Sequence, residues 1–145
     1  MMMEITNVIL KRLYQSDLEV DLDLSLDDTV ANAVQVQINV KPKYFNDFVI
    51  FYGTKDTIIS FSSVFEVKDK NDLNIELLFD EDSGIYESLI IDDVDEMIHL
   101  YGEIELDDIV NVDEEHLIDD TFIFEIINYL SEEHELTNYL NSISE

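Results

Sequence analysis

The chain has 145 residues, 46% of them hydrophobic and 10% aromatic, with no cysteine, 35 acids against 7 bases and a formal net charge of −28. A chain of this length buries roughly 70% of its unfolded surface, so the composition supports one folded domain, 1–145, rather than a charge-driven disordered segment. The missing cysteines exclude disulfides, thiol chemistry and cysteine-held zinc, while the charge repels nucleic acid and anionic membranes and attracts basic surfaces.

Taken in order, residues 4–14 fit a short helix or a first strand equally well. Glu4 precedes the cations Lys11 and Arg12, the wrong order for a signal peptide, and no apolar run reaches membrane-helix length. The expected location is therefore the cytoplasm. Residues 18–26 alternate strictly: Leu18, Val20, Leu22, Leu24 and Leu26 share one face of a strand, with Glu19, Asp21, Asp23, Ser25 and Asp27 on the other. Val34, Val36, Ile38 and Val40 alternate with Gln35, Gln37 and Asn39, whose amides can solvate those carboxylates without neutralising them. Pro42 ends that strand because it lacks the donor a ladder needs. Phe48 to Tyr52 and Ile58 to Val67 flank Gly53-Thr54-Lys55-Asp56, a hairpin signal. Leu73 to Phe79 is expected to add a further strand, followed by a turn from Asp80 to Gly84. The first 80 residues thus read as an antiparallel meander.

Beyond Gly84 the spacing changes. Val94, Met97, Ile98 and Tyr101 stand at i, i+3, i+4 and i+7, which predicts a helix with Asp92 and Asp93 at its start and Gly102 at its end. Residues 103–118 leave helix and strand open. Asp119, Asp120 or Thr121 caps a last helix carrying Ile123, Ile126, Ile127 and Leu130. Leu136, Tyr139, Leu140 and Ile143 form a second stripe out of phase with it, so a break falls near Ser131–Glu135. The expected fold is α+β, an antiparallel sheet from about 1–80 with two or three acidic helices from about 85–145 packed on it.

Catalytic signatures are missing. None of His99, His116 and His134 sits in a catalytic sequence motif. Asp95 and His99 are i, i+4 neighbours on the outer side of the predicted helix, a spacing shared by metal ligands and by ordinary solvated pairs. Asp80-Glu81-Asp82-Ser83-Gly84 fails as a calcium loop. Starting from Asp80, Gly84 falls at the fifth position, Ile85 at the sixth and Ile91 at the twelfth, where an acidic ligand, glycine and glutamate are required. The three glycines are too far apart to cradle a phosphate. No cofactor, no metal and no enzymatic activity are expected.

Charge is the feature left to explain, and it is unevenly placed. All 7 cations lie in the first 70 residues against 11 acids; residues 71–145 hold 24 acids and no Lys or Arg. Ordinary surfaces mix both signs, and self-repulsion of this size costs stability at low salt. Same-face carboxylates on a strand recur about every 6.8 Å, close to the axial rise of every second phosphate of a DNA strand. In size, charge and missing catalytic motifs the chain resembles the small acidic DNA-mimic inhibitors carried by phages and mobile elements. That resemblance implies a non-enzymatic inhibitor occupying the nucleic-acid site of a basic enzyme or nuclease. The expected contact residues are Glu19, Asp21, Asp23 and Asp27, with Asp92, Asp93, Asp95, Glu96, Glu103, Glu105, Asp107, Asp108, Asp113, Glu114 and Glu115. An immunity protein neutralising a basic toxin nuclease would work by the same physics, and a homodimer stays open.

A second, local resemblance lies in Arg12-Leu13-Tyr14-Gln15-Ser16-Asp17-Leu18-Glu19-Val20, which is similar to the first strand of the SecB-like export chaperones. It implies strands before helices and apolar grooves that bind unfolded polypeptides.

Overall fold

In the computed structural model, residues 2–26, 32–67, 72–111 and 117–144 are described. Helix α1 (Met2–Gln15) comes first, with Ile5, Ile9 and Leu13 fully buried at i, i+4 and i+8. Four strands follow, β1 (Glu19–Leu26), β2 (Val34–Lys41), β3 (Phe48–Gly53) and β4 (Ile58–Glu66). After α2 (Asp72–Asp82) comes the hairpin β5 (Ser88–Asp92) and β6 (Met97–Glu105). The short helix α3 (Leu106–Ile109) leads into the two-residue strands β7 (Val110–Asn111) and β8 (Leu117–Ile118). Helices α4 (Thr121–Leu130) and α5 (Glu135–Ser142) complete the order.

The main sheet is antiparallel throughout, with strand order β1-β2-β3-β4-β6-β5. The class is therefore α+β, and the meander β1 to β4 stands where alternation placed it. Pro42 follows β2, and the Asp56 carboxylate accepts the Gly53 N–H (2.8 Å) in the β3–β4 turn. Helix α4 starts at Thr121, and the break between α4 and α5 falls at 131–134.

Several expectations are corrected. Residues 73–79 form most of α2, because Ile75, Leu78 and Phe79 stand at i, i+3 and i+4, a helical spacing that coexists with the alternation of Leu73, Ile75, Leu77 and Phe79; Ile75 is buried and Leu77 points outward. The helix expected over 92–101 is the β5–β6 hairpin instead. Val94 lies at its tip, 91% exposed, while Ile98 and Leu100 enter the core and Met97, His99 and Tyr101 take the opposite face. Asp95 and His99 are therefore not helical neighbours. The segment similar to the SecB-like first strand is the last turn of α1, a turn with Asp17 at φ 65°, and only then the start of β1. Lastly, the C-terminal helices are not acidic: α4 holds one acid, Glu125, and α5 one, Glu135. Helix α1 also precedes the sheet, so strands and helices are not segregated along the chain.

One face of the sheet carries the core. Val36, Ile38 and Val40 of β2, Phe48, Ile50 and Tyr52 of β3, Ile59, Phe61 and Phe65 of β4, and Ile98 and Leu100 of β6 are all buried there. Ile5, Ile9, Leu13, Ile123, Leu130, Leu136 and Leu140 of the helices belong to the same core. Tyr86 meets Tyr129 edge-on at 5.4 Å between ring centroids and joins its hydroxyl to Ser63 (2.7 Å). Burial pushes the Tyr86 and Tyr129 hydroxyls far above their ordinary pKa, so both stay protonated. Gly84, at φ 58°, lies so close under the Tyr129 ring that a Cβ would collide with it. Arg12 of α1 ties down α4 through an ion pair to Asp120 (2.9 Å), with its guanidinium 5.1 Å from the Phe124 ring centroid.

Candidate functional site

The opposite face of the sheet carries no buried side chain. From β1 to β5 its residues are half-buried or exposed, and strand register fixes how they line up. Asp23 pairs with Gln37, Gln37 with Phe51, Phe51 with Ser60, and Ser60 with Glu103. The next row runs Asp21, Asn39, Val49, Ser62, Tyr101 and Ser88. Each row therefore begins at an acid of β1 and crosses a neutral band before it reaches β6. With four strand intervals of about 4.8 Å, the β1 and β6 rims stand about 19 Å apart.

The β1 rim is Glu19, Asp21 and Asp23, all exposed. Its nearest donors are the amides of β2, as alternation led us to expect. Asn39 Nδ2 donates to Asp23 (3.2 Å), and Gln37 Nε2 donates to Asn39 (3.0 Å). Glu19 stands opposite Lys41, the one cation in register with this rim. The β6 rim is Glu103 and Glu105, which face Ser60 and Ile58 of β4. Tyr101 donates its hydroxyl to Glu103, and that bond, ahead of burial, raises the Tyr101 pKa, so the phenol remains a donor. The Tyr101 and Phe51 rings lie 6.4 Å apart in the band between the rims.

The other expected contact residues disperse. Asp92 ends β5 and accepts the N–H groups of Val94 (3.0 Å) and Asp95 (3.1 Å). The Asp95 bond, more than any other influence, holds the Asp92 carboxyl below its usual pKa. Asp93, Asp95 and Glu96 form the hairpin turn, with Glu96 at φ 56°. Asp107 and Asp108 are exposed on α3, beyond the end of β6. Asp27, Asp113, Glu114 and Glu115 lie outside the described residues. The structure thus brings Glu19, Asp21, Asp23, Glu103 and Glu105 onto one face, and places the remaining described candidates around its margin.

Phe51 and Ser60 belong to this face without having been singled out by sequence, and Tyr101, expected on a helical stripe, joins them. The signal that reaches them is register parity, counted from Asp23 through the hairpins. Other acids have structural employment. Asp82 of α2 accepts the Leu136 N–H (3.2 Å) at the start of α5, and Asp119 accepts the N–H (3.0 Å) and hydroxyl (2.6 Å) of Thr121. His134 stacks on Tyr129 with ring centroids 3.8 Å apart, which makes it a packing residue.

No group of three or more potential metal ligands occurs among the described residues. Among the described helices, none is long and apolar enough to cross a membrane. No protein-family model, curated protein or solved structure matches the chain.

Proposed function

We propose that the chain is a non-enzymatic inhibitor whose open sheet face occupies the nucleic-acid-binding site of a basic host-defence or DNA-processing protein. The row Asp23–Gln37–Phe51–Ser60–Glu103 carries the reading. It sets carboxylates at both ends of an uncovered face, where Asn39 and Tyr101 donate to them without cancelling their charge. A rigid sheet loses little entropy when its carboxylates meet Lys and Arg side chains, and a net charge of −28 steers the encounter. Glu19, Asp21 and Asp23, about 6.8 Å apart, fit cations spaced for every second phosphate. A toxin nuclease as the target would make the same contact an immunity function.

The test begins with capture from host lysate at low salt, followed by a DNA-binding assay on the captured enzyme. The chain is expected to displace DNA competitively and to lose that ability as ionic strength rises and the Debye length falls to about 8 Å. A partner that keeps its DNA while bound to the chain, or an affinity that is flat with salt, refutes the reading.

A further inference from the structure

The two edges of the sheet are finished differently. Strand β5 has five residues, packs beside α2 and ends in the turn held by Asp92. Strand β1 has eight, pairs with β2 without a break in register, and is exposed at every residue from Asp21 to Leu26. Natural proteins blunt edge strands by shortening or bulging them, by adding charged residues, Lys above all, or Pro, or by covering them. In β1 the only charges are the acids Glu19, Asp21 and Asp23, which deter a like-charged strand but not a cationic one; there is neither Lys nor Pro, and the register has no bulge. Its apolar residues share the helix-bearing face yet reach past the helical layer: Leu22 is 39% exposed, Leu24 54% and Leu26 81%.

We infer that β1 accepts an added strand from a basic partner, an extended segment in which Lys or Arg alternates with apolar side chains. Backbone bonds to a sheet edge supply affinity in such pairings, and the side chains of alternate residues supply selectivity. Here the apolar set of the incoming strand would cover Leu22, Leu24 and Leu26. The cationic set would stand across from Glu19, Asp21 and Asp23, the opposite-charge arrangement that stabilises cross-strand neighbours.

The same charges disfavour a second copy of the chain as occupant. Antiparallel self-pairing centred on Leu22 puts Asp21 opposite Asp23 twice, and centring on Asp23 puts that residue opposite itself. Parallel in-register pairing sets every acid against its copy. Like charges directly opposite are destabilising. The edge therefore repels its own kind and selects a cationic strand. This inference shares Glu19, Asp21 and Asp23 with the nucleic-acid-site reading but adds the backbone edge and leucines of β1 and does not need the β6 rim, so the N-methylated peptide and the β1 amide protection test it separately.

The test uses the full chain and a synthetic nine-residue peptide alternating valine and lysine, with binding followed by fluorescence anisotropy and by hydrogen exchange of the β1 amides. The alternating peptide is expected to bind and to slow exchange at those β1 amides that are not bonded to β2. A peptide of the same composition with its lysines in one block, and an alternating peptide N-methylated on one edge, are each expected to bind at least about tenfold more weakly. Asp21→Asn with Asp23→Asn, both on the exposed face, is expected to weaken the alternating peptide about tenfold. Equal binding of the blocked or N-methylated peptide, or binding without protection of β1, overturns the proposal. So does a chain that dimerises through β1 in sedimentation experiments, since the edge would then be occupied by a second copy.

Discussion

The β1 rim and the turn of the β5–β6 hairpin are both acidic but differ in what their carboxylates hold. On β1, Asp21 and Asp23 rise from a regular strand, and the bond Asp23 accepts comes from the Asn39 amide. At the hairpin, Asp92 accepts two backbone N–H groups and shapes the turn itself. Asp56, Asp82 and Asp119 resemble Asp92, each taking a backbone N–H of a turn or helix start. The lesson is that a count of carboxylates does not map a contact surface. Those aimed at backbone donors serve the fold, and those on a strand facing amides or a phenol keep their charge outward.

The largest test of this distinction is to neutralise the two rims. Asp21→Asn, Asp23→Asn, Glu103→Gln and Glu105→Gln together are expected to weaken partner binding about tenfold to a hundredfold at low salt. A control set with the same charge change, Glu4→Gln, Asp80→Asn, Glu132→Gln and Glu133→Gln, lies on α1, on α2 and in the α4–α5 turn. It is expected to weaken binding by less than about threefold. Equal losses in the two sets would reduce the mechanism to bulk charge and erase the difference between rim and periphery.

Stability is expected to respond in the opposite sense. Asp82→Ala removes the acceptor for the Leu136 N–H at the first turn of α5, a capping loss of about 1 kcal/mol. In a chain of this size that lowers the melting temperature by about 3 °C. The rim set should leave the melting temperature unchanged or raise it at low salt, because it removes repulsion. Calorimetry on both variants decides the point, and a rim set that melts earlier than Asp82→Ala would show that the rim acids are structural as well.

The smallest expected effect is one of pH. Asp92 and Asp119 have folded-state pKa values below their ordinary ones. Their stabilising contribution is therefore complete above the unfolded carboxylate pKa, near 3.8, and is lost as pH falls through the lower folded values. Thermal melts of wild type, Asp92→Asn and Asp119→Asn should differ at pH 6 and converge below about pH 3. A difference that stays constant across that range would mean that these bonds do not depend on the ionised carboxylate.

Much of the meander was legible because one open face imposes a period of two on β1 to β4. The acids of β1 and the amides of β2 mark a shared polar face in the sequence itself. The β5–β6 hairpin was not legible, since Val94, Met97, Ile98 and Tyr101 match a helical spacing by coincidence, and because Asp serves turns as readily as helix starts. In α2 both periods fit the segment through different residue sets, and only tertiary packing chose between them. The distance between the rims could not be read at all. It depends on β6 rather than β5 pairing with β4, a choice made by long-range contacts. Nor does alternation tell an edge leucine from a central one, so the exposure of Leu22, Leu24 and Leu26 came only with the sheet order.

The tie between Arg12 and Asp120 spans 108 positions of sequence and has a consequence for how the molecule is made. Helix α1 leaves the ribosome before α4, which clamps it and follows more than a hundred residues later. At a synthesis rate of about 5–20 residues per second, that interval lasts about 5–20 s. Throughout it Arg12 lacks both Asp120 and Phe124, so a helix made early completes its native packing late.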